Sequence, residues 1–142
     1  MINNKHTQND NIVLGLSAAA VMVFIGLFLP IVTFKFGEFS DSIAFMSGED
    51  GGAGSDGILI IGLIIISGIL IALKRTRWVI LTGILILGIV IVNYIDVSDL
   101  VNQTSDFSDS ISMGMLAWGL LFLGSFGLIG AGGLAFKNSR NT

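Results

Sequence analysis

The sequence of 142 residues contains no cysteine, one proline and one histidine, and only 12% of its residues are charged. The absence of cysteine excludes disulfides, thiolate nucleophiles and cysteine metal clusters. A soluble domain carries about 25% charged residues. The low charge, 53% hydrophobic residues and a mean hydropathy of +0.88 therefore indicate a single membrane domain spanning residues 1–142.

Asp, Glu, Lys, Arg and His are also missing from the four longest apolar runs, which cover residues 12–34, 57–73, 78–95 and 113–136. We expect each run to cross a membrane as a helix. Proton-coupled transporters use ionisable groups at membrane depth, and the one histidine, His6, lies in the N-terminal tail. No phosphate-binding loop, dinucleotide fingerprint or zinc motif is present. We therefore expect a protein that is not an enzyme and binds no cofactor.

The charges are sorted by sign between the segments that join these runs. Nine of the ten acidic residues lie in two loops, 35–56 and 96–112, with Asp10 as the exception. Six of the seven basic residues lie in the two tails and the short middle loop: Lys5, Lys74, Arg75, Arg77, Lys137 and Arg140. Because basic segments stay on the cytoplasmic side, this split predicts a cytoplasmic N-terminus and C-terminus. The basic residues are too sparse for a nucleic-acid partner.

The first run exceeds the roughly 7–15 residues of a signal-peptide core, so we expect an uncleaved anchor. Asp10 or Asn11 is expected to cap its helix, and Pro30 to kink or end it. In the outer loop that follows, Phe34 and Phe36, then Ile43 and Phe45, alternate with polar residues. This period of two predicts a β-hairpin. The alternative is an irregular loop whose phenylalanines dip into the membrane interface.

Small residues recur in the fourth run at spacings that favour close helix packing. One row has a four-residue spacing (Gly127, Ala131, Ala135), a second has a three-residue spacing (Gly124, Gly127, Gly130, Gly133), and Gly15 and Ala19 offer a shorter surface on the first run. The rows predict either packing of the first helix against the fourth or a seam for a partner helix. Both can hold on different faces.

Three acidic residues, Glu49, Asp50 and Asp56, are the candidates for a metal site, since carboxylates ligate calcium well. Residues 51–59 also fit one copy of a calcium-binding nonapeptide. One copy supplies only half of such a site, so we expect a plain linker and no calcium. In the third run, Asn93 has either Asp96, one turn on, or interfacial water as its partner.

The features follow a fixed order along the chain. The first run ends in Leu29–Pro30, a hairpin-like segment follows, and Asp56–Gly57 comes before the second run. A basic turn then leads to the third run, which ends at residues 94–96 (Tyr-Ile-Asp), and the last run is rich in glycine. This order resembles that of small bacterial four-span membrane proteins of uncharacterised function. The resemblance implies a bacterial plasma membrane.

Together these features predict an all-α membrane protein: an antiparallel four-helix transmembrane bundle with a small extracellular cap that includes the β-hairpin. We expect a non-catalytic accessory or scaffold subunit in the bilayer, which assembles with another membrane protein or with itself. It would use the small-residue helix faces and the acidic outer cap. The alternative is a small oligomeric channel or transport component with a cation-attracting outer vestibule.

Overall fold

The structure, a computed structural model, describes residues 2–44, 53–104 and 110–140. This part of the chain is mostly helical and holds four α-helices, a three-stranded sheet and one 3-10 turn. The helices are α1 (Ile2–Phe28), α2 (Ala53–Ala72), α3 (Val79–Thr104) and α4 (Met115–Arg140). The strands are β1 (Pro30–Phe36), β2 (Phe39–Ala44) and β3 (Ser110–Met113), and the 3-10 turn Thr76–Trp78 joins α2 to α3.

Helix α1 differs from the first apolar run at both ends. It begins at Ile2, so Asp10 and Asn11 lie inside the helix and the prediction that one of them caps it was wrong. It ends at Phe28, because Pro30 has no backbone N–H to continue the hydrogen-bond ladder. Residues 30–34, predicted to belong to the first span, lie in β1 instead. Apolar composition marks where a chain can enter a membrane, whereas backbone hydrogen bonding decides where the helix starts and stops.

The predicted β-hairpin is present, and it belongs to an antiparallel sheet with the strand order β2-β1-β3. Strands β1 and β2 turn tightly at Gly37, whose φ of +61° suits a residue without a side chain. The sequence did not predict β3, which pairs with β1 from Val32 opposite Met113 to Lys35 opposite Ser110. Nor did it predict that α3 would continue to Thr104, past the end of the third apolar run.

Side chains alternate between the two faces of the sheet along each strand, and one face carries most of the apolar residues of β1 and β3. Its register places Val32 and Phe34 of β1 beside Met113 and Ile111 of β3, and these four apolar residues pack against the main core. Strand β2 is an edge strand. Asp41 Oδ1 accepts a hydrogen bond of 2.9 Å from the Ser42 N–H, which occupies one backbone donor of that edge.

Each helix buries one stripe of residues, and in α1 these residues follow one another at spacings of three or four, the period of packed helices. In α1 the stripe is Ile12, Leu16, Ala19, Val23 and Leu27, and all five are buried. Helix α1 packs against α4, α4 against α3, α3 against α2, and α2 against α1. The core therefore lies between the helices, and large apolar side chains such as Leu14, Leu85 and Leu123 are exposed on their outer faces.

Three helical segments are long and apolar enough to cross a membrane: His6–Phe28, Thr76–Gln103 and Met115–Arg140. The apolar stretch of α2, Asp56–Ala72, is shorter. A helix needs about 20 apolar residues to cross a bilayer. The outward exposure of large apolar side chains, together with these three segments, is the pattern of a membrane protein.

Candidate functional site: helix contacts and two polar pairs

The most extensive helix contact lies between α1 and α4, and small residues contribute to it. A Cβ atom on Gly124 would lie 2.8 Å from the Ala19 carbonyl oxygen, and one on Gly127 would lie 2.9 Å from the Ala19 Cβ. One turn further along α4, Ala131 Cβ lies 3.9 Å from the position a Gly15 Cβ would take. Ala19 meets Gly124 and Gly127, whereas the earlier residue Gly15 meets the later residue Ala131. The two helices are therefore antiparallel. These residues bring the backbones together within the chain.

The other glycines of the row at three-residue spacing make looser contacts than Gly124 and Gly127. Gly130 is exposed, and a Cβ atom there would meet no atom within 4 Å. A Cβ on Gly133 would reach only the Ile80 Cδ1 atom, at 4.0 Å, and Ala135 is buried. The row at three-residue spacing is therefore split, since three residues turn a helix by less than one full turn. Gly124 and Gly127 face α1, and Gly130 faces outward.

Sequence reasoning missed the glycines at the contact between α3 and α4. A Cβ on Gly132 would lie 2.8 Å from the Ile80 backbone nitrogen, and a Cβ on Gly83 would lie 3.0 Å from the Leu128 Cβ. Both glycines are buried. A lone glycine among large aliphatic residues, as at Gly83, is the sequence signal that could have indicated this contact.

Two polar pairs connect α2 to α3. Asn93 Nδ2 donates to Asp56 Oδ2 at 2.9 Å and to the Ile89 carbonyl at 2.9 Å. The carboxylate that Asn93 meets is that of Asp56, on the neighbouring helix, and not that of Asp96. Deeper in the contact, the hydroxyls of Ser67 and Thr82 are buried and lie 2.6 Å apart. Each hydroxyl also lies within hydrogen-bond distance of a carbonyl of its own helix, at 2.8 Å.

The sheet is joined to α4 through one backbone carbonyl. The Ile31 carbonyl accepts hydrogen bonds from the Gly114 N–H at 2.8 Å and from Trp118 Nε1–H at 3.2 Å. Trp118 is buried, and the Tyr94 ring meets it edge-on with 5.2 Å between centroids. This junction ties β1 to the first turn of α4 and to α3.

Of the three candidate metal ligands, the structure describes only Asp56. Glu49 and Asp50 lie outside the described residues, and so do the first two glycines of the nonapeptide. Its residues 53–59 form the first turns of α2. Asp56 is half-buried and bonded to Asn93. Within residues 2–44, 53–104 and 110–140, no group of three His, Cys, Asp or Glu side chains could hold a metal ion.

The described arrangement consists of helix-to-helix contacts, two polar pairs between α2 and α3, and a sheet fastened to one end of α4. No protein-family model matches the chain, and no curated protein is significantly similar to it.

Proposed function

We propose that the chain is a non-catalytic integral membrane subunit of a bacterial plasma membrane, acting as an accessory or scaffold protein. In this proposal the four helices form an antiparallel transmembrane bundle, both termini are cytoplasmic, and the sheet forms an outer cap. Two observations support the proposal. Three helices have the length and apolarity of membrane spans. The acidic residues Glu38, Asp41, Asp56, Asp96 and Asp99 lie on the elements at one end of the helices, away from most basic residues.

The observation that carries the assembly role is that α4 has small residues on two faces. Gly124 and Gly127 contact α1, whereas a Cβ atom on Gly130 would meet no atom within 4 Å. In lipid, helices associate where small residues let backbones approach closely. The outward face around Gly130, flanked by Phe126 and Leu134, both exposed, is therefore the surface that a partner helix would use.

The test is to replace Gly130 by leucine and purify the tagged protein in mild detergent. The matched controls are Gly127→Leu and Gly88→Leu. A leucine at Gly127 meets Ala19 inside the chain, whereas a Cβ on Gly88, in α3, would meet no atom within 4 Å. We expect G130L to lose its partners while unfolding at the wild-type temperature, G127L to unfold at a lower temperature, and G88L to match wild type in both. Unchanged partners and apparent mass for G130L would contradict the proposed face.

The acidic end also supports a second candidate, an oligomeric channel that gathers cations at its outer mouth. Apolar side chains such as Leu16, Ile60, Ile86 and Leu121 fill the space between the described helices. Any water-filled path would therefore run between copies and not through one chain. Cation flux in liposomes that contain the purified protein alone would support the channel, whereas absence of flux together with a defined heteromeric complex would support the accessory role.

A further inference from the structure

The end of the molecule opposite the sheet carries an exposed group of basic side chains, here called the basic end. It comprises Lys74, Arg75, Arg77, Lys137 and Arg140, and all five are exposed. Two different elements supply them: the connection between α2 and α3, and the last turns of α4. Among the described residues, Asp10 on α1 is the one acidic residue on this half of the molecule. The basic end thus has a strong excess of positive charge.

The backbone of the connection holds a lysine where glycine would be favoured. Lys74 N–H donates to the Ile71 carbonyl at 3.0 Å and Arg75 N–H donates to the Leu70 carbonyl at 2.8 Å, which is the Schellman pattern of helix ends. Lys74 has a φ of +58°, a conformation that a side chain disfavours by about 1–2 kcal/mol relative to glycine. The stability of the backbone alone would favour glycine at position 74. The lysine instead adds a positive charge to the basic end.

The same connection between α2 and α3 packs against α4. The turn Thr76–Trp78 packs on α4, and Gly132 lets the backbone of Ile80 approach closely. The Arg77 guanidinium lies 5.7 Å from the centroid of the half-exposed Trp78 ring. Tryptophan favours the level of lipid headgroups. The guanidinium is thus fixed beside a side chain that favours that level.

We propose that the basic end binds the phosphate groups of anionic phospholipids in the leaflet that it faces. Guanidinium groups bind phosphate oxygens through two parallel hydrogen bonds, and lysine adds a point charge. Exposed apolar side chains, Leu73 and Phe136, border the group on the helix side and would contact the acyl chains of the same lipids. The proposal rests on the membrane insertion assumed in the proposed function and adds a lipid class that the protein selects.

The experiment uses the full chain in liposomes of equal parts phosphatidylglycerol and phosphatidylcholine, followed by gentle extraction and native mass spectrometry of retained lipids. We expect enrichment of phosphatidylglycerol. Lys74→Gly should lower this enrichment about fivefold, the effect of roughly one surface charge, while its unfolding temperature stays equal or rises because glycine adopts the turn conformation freely. The double variant R75Q/R77Q should lower the enrichment further. Lys35→Gln, on β1 at the other end, is the matched control and should leave it unchanged.

Other results of this experiment would contradict either the lipid proposal or the membrane insertion. Equal retention of the two lipids, or a loss in K35Q as large as in K74G, would overturn the lipid assignment. Displacement of phosphatidylglycerol by inorganic phosphate, beyond that caused by chloride at equal ionic strength, would assign the basic end to free phosphate and overturn the lipid proposal. Failure of the protein to float with liposomes would instead contradict the membrane insertion on which the proposed function depends.

Discussion

Asn93 shows how a single polar side chain connects two apolar helices. Its amide group has two N–H donors, and one is used within α3 while the other reaches Asp56 on α2. Asp56 lies in the first turn of its helix, where a negative charge is favoured by the helix dipole. The sequence identified Asn93 as a side chain in need of a partner. It could not identify the partner, because Asp56 is remote along the chain and becomes a neighbour only when α2 and α3 pair.

Replacing Asn93 by alanine removes the bond to the Asp56 carboxylate. We expect the free energy of unfolding to fall by about 1.5–3 kcal/mol, the range for hydrogen bonds to charged groups. Asp99→Asn, an exposed substitution on the same helix, should change it by less than about 0.5 kcal/mol. Denaturant titration in detergent micelles measures both. A cycle with Asp56→Asn tests the pairing, and strictly additive effects of N93A and D56N would show that the two residues do not interact.

Among the helices, the role of a glycine depends on whether it lies at a helix contact or on the exposed surface. Gly132 is buried against the backbone of Ile80, whereas Gly88, also in a long apolar helix, faces outward with open space around it. Gly88 stands between Leu87 and Ile89, and Gly132 stands between Ala131 and Gly133. Their roles differ because the rotation of α3 and α4 about their own axes places one at a contact and the other on the surface.

This difference is testable with one substitution made at two places. Gly132→Ala puts a Cβ atom 2.8 Å from the Ile80 backbone nitrogen, so the helices must separate. We expect a loss of about 1–3 kcal/mol, as for overpacked cores. Gly88→Ala should be neutral or stabilising by up to about 1 kcal/mol through helix propensity. Thermal unfolding followed by circular dichroism in detergent compares them, and equal unfolding temperatures for the two variants would argue against the α3–α4 contact.

For the whole molecule, the described charges separate along the direction of the helices. The basic end carries five exposed basic residues, and the opposite half carries Glu38, Asp41, Asp56, Asp96 and Asp99. Lys35 and Asp10 depart from the rule, as the sequence indicated. Since basic segments remain cytoplasmic, this separation supports the proposed orientation with the sheet outside.

The natural absence of cysteine makes the orientation directly measurable. Single cysteines are introduced at Gln8 on α1 and at Ser40 on β2, which are both exposed and lie toward opposite ends of the molecule. In intact bacterial cells, a membrane-impermeant maleimide should label S40C at once and Q8C only after the membrane is permeabilised. The cysteine-free parent protein is the control for background. Labelling of Q8C in intact cells with protection of S40C would reverse the proposed orientation.

By itself, the sequence determined the features that depend on neighbouring residues: the apolar runs, the hairpin and the sorting of charges. These follow from composition and from periods of two and of three to four, which are local properties of a chain. The tertiary structure alone decided that Gly124 and Gly127 face α1 while Gly130 faces outward, and that Asn93 meets Asp56. It also added β3 to the hairpin. Such pairings depend on the rotation and register of whole elements, which the summed packing of several helices sets and no short segment encodes.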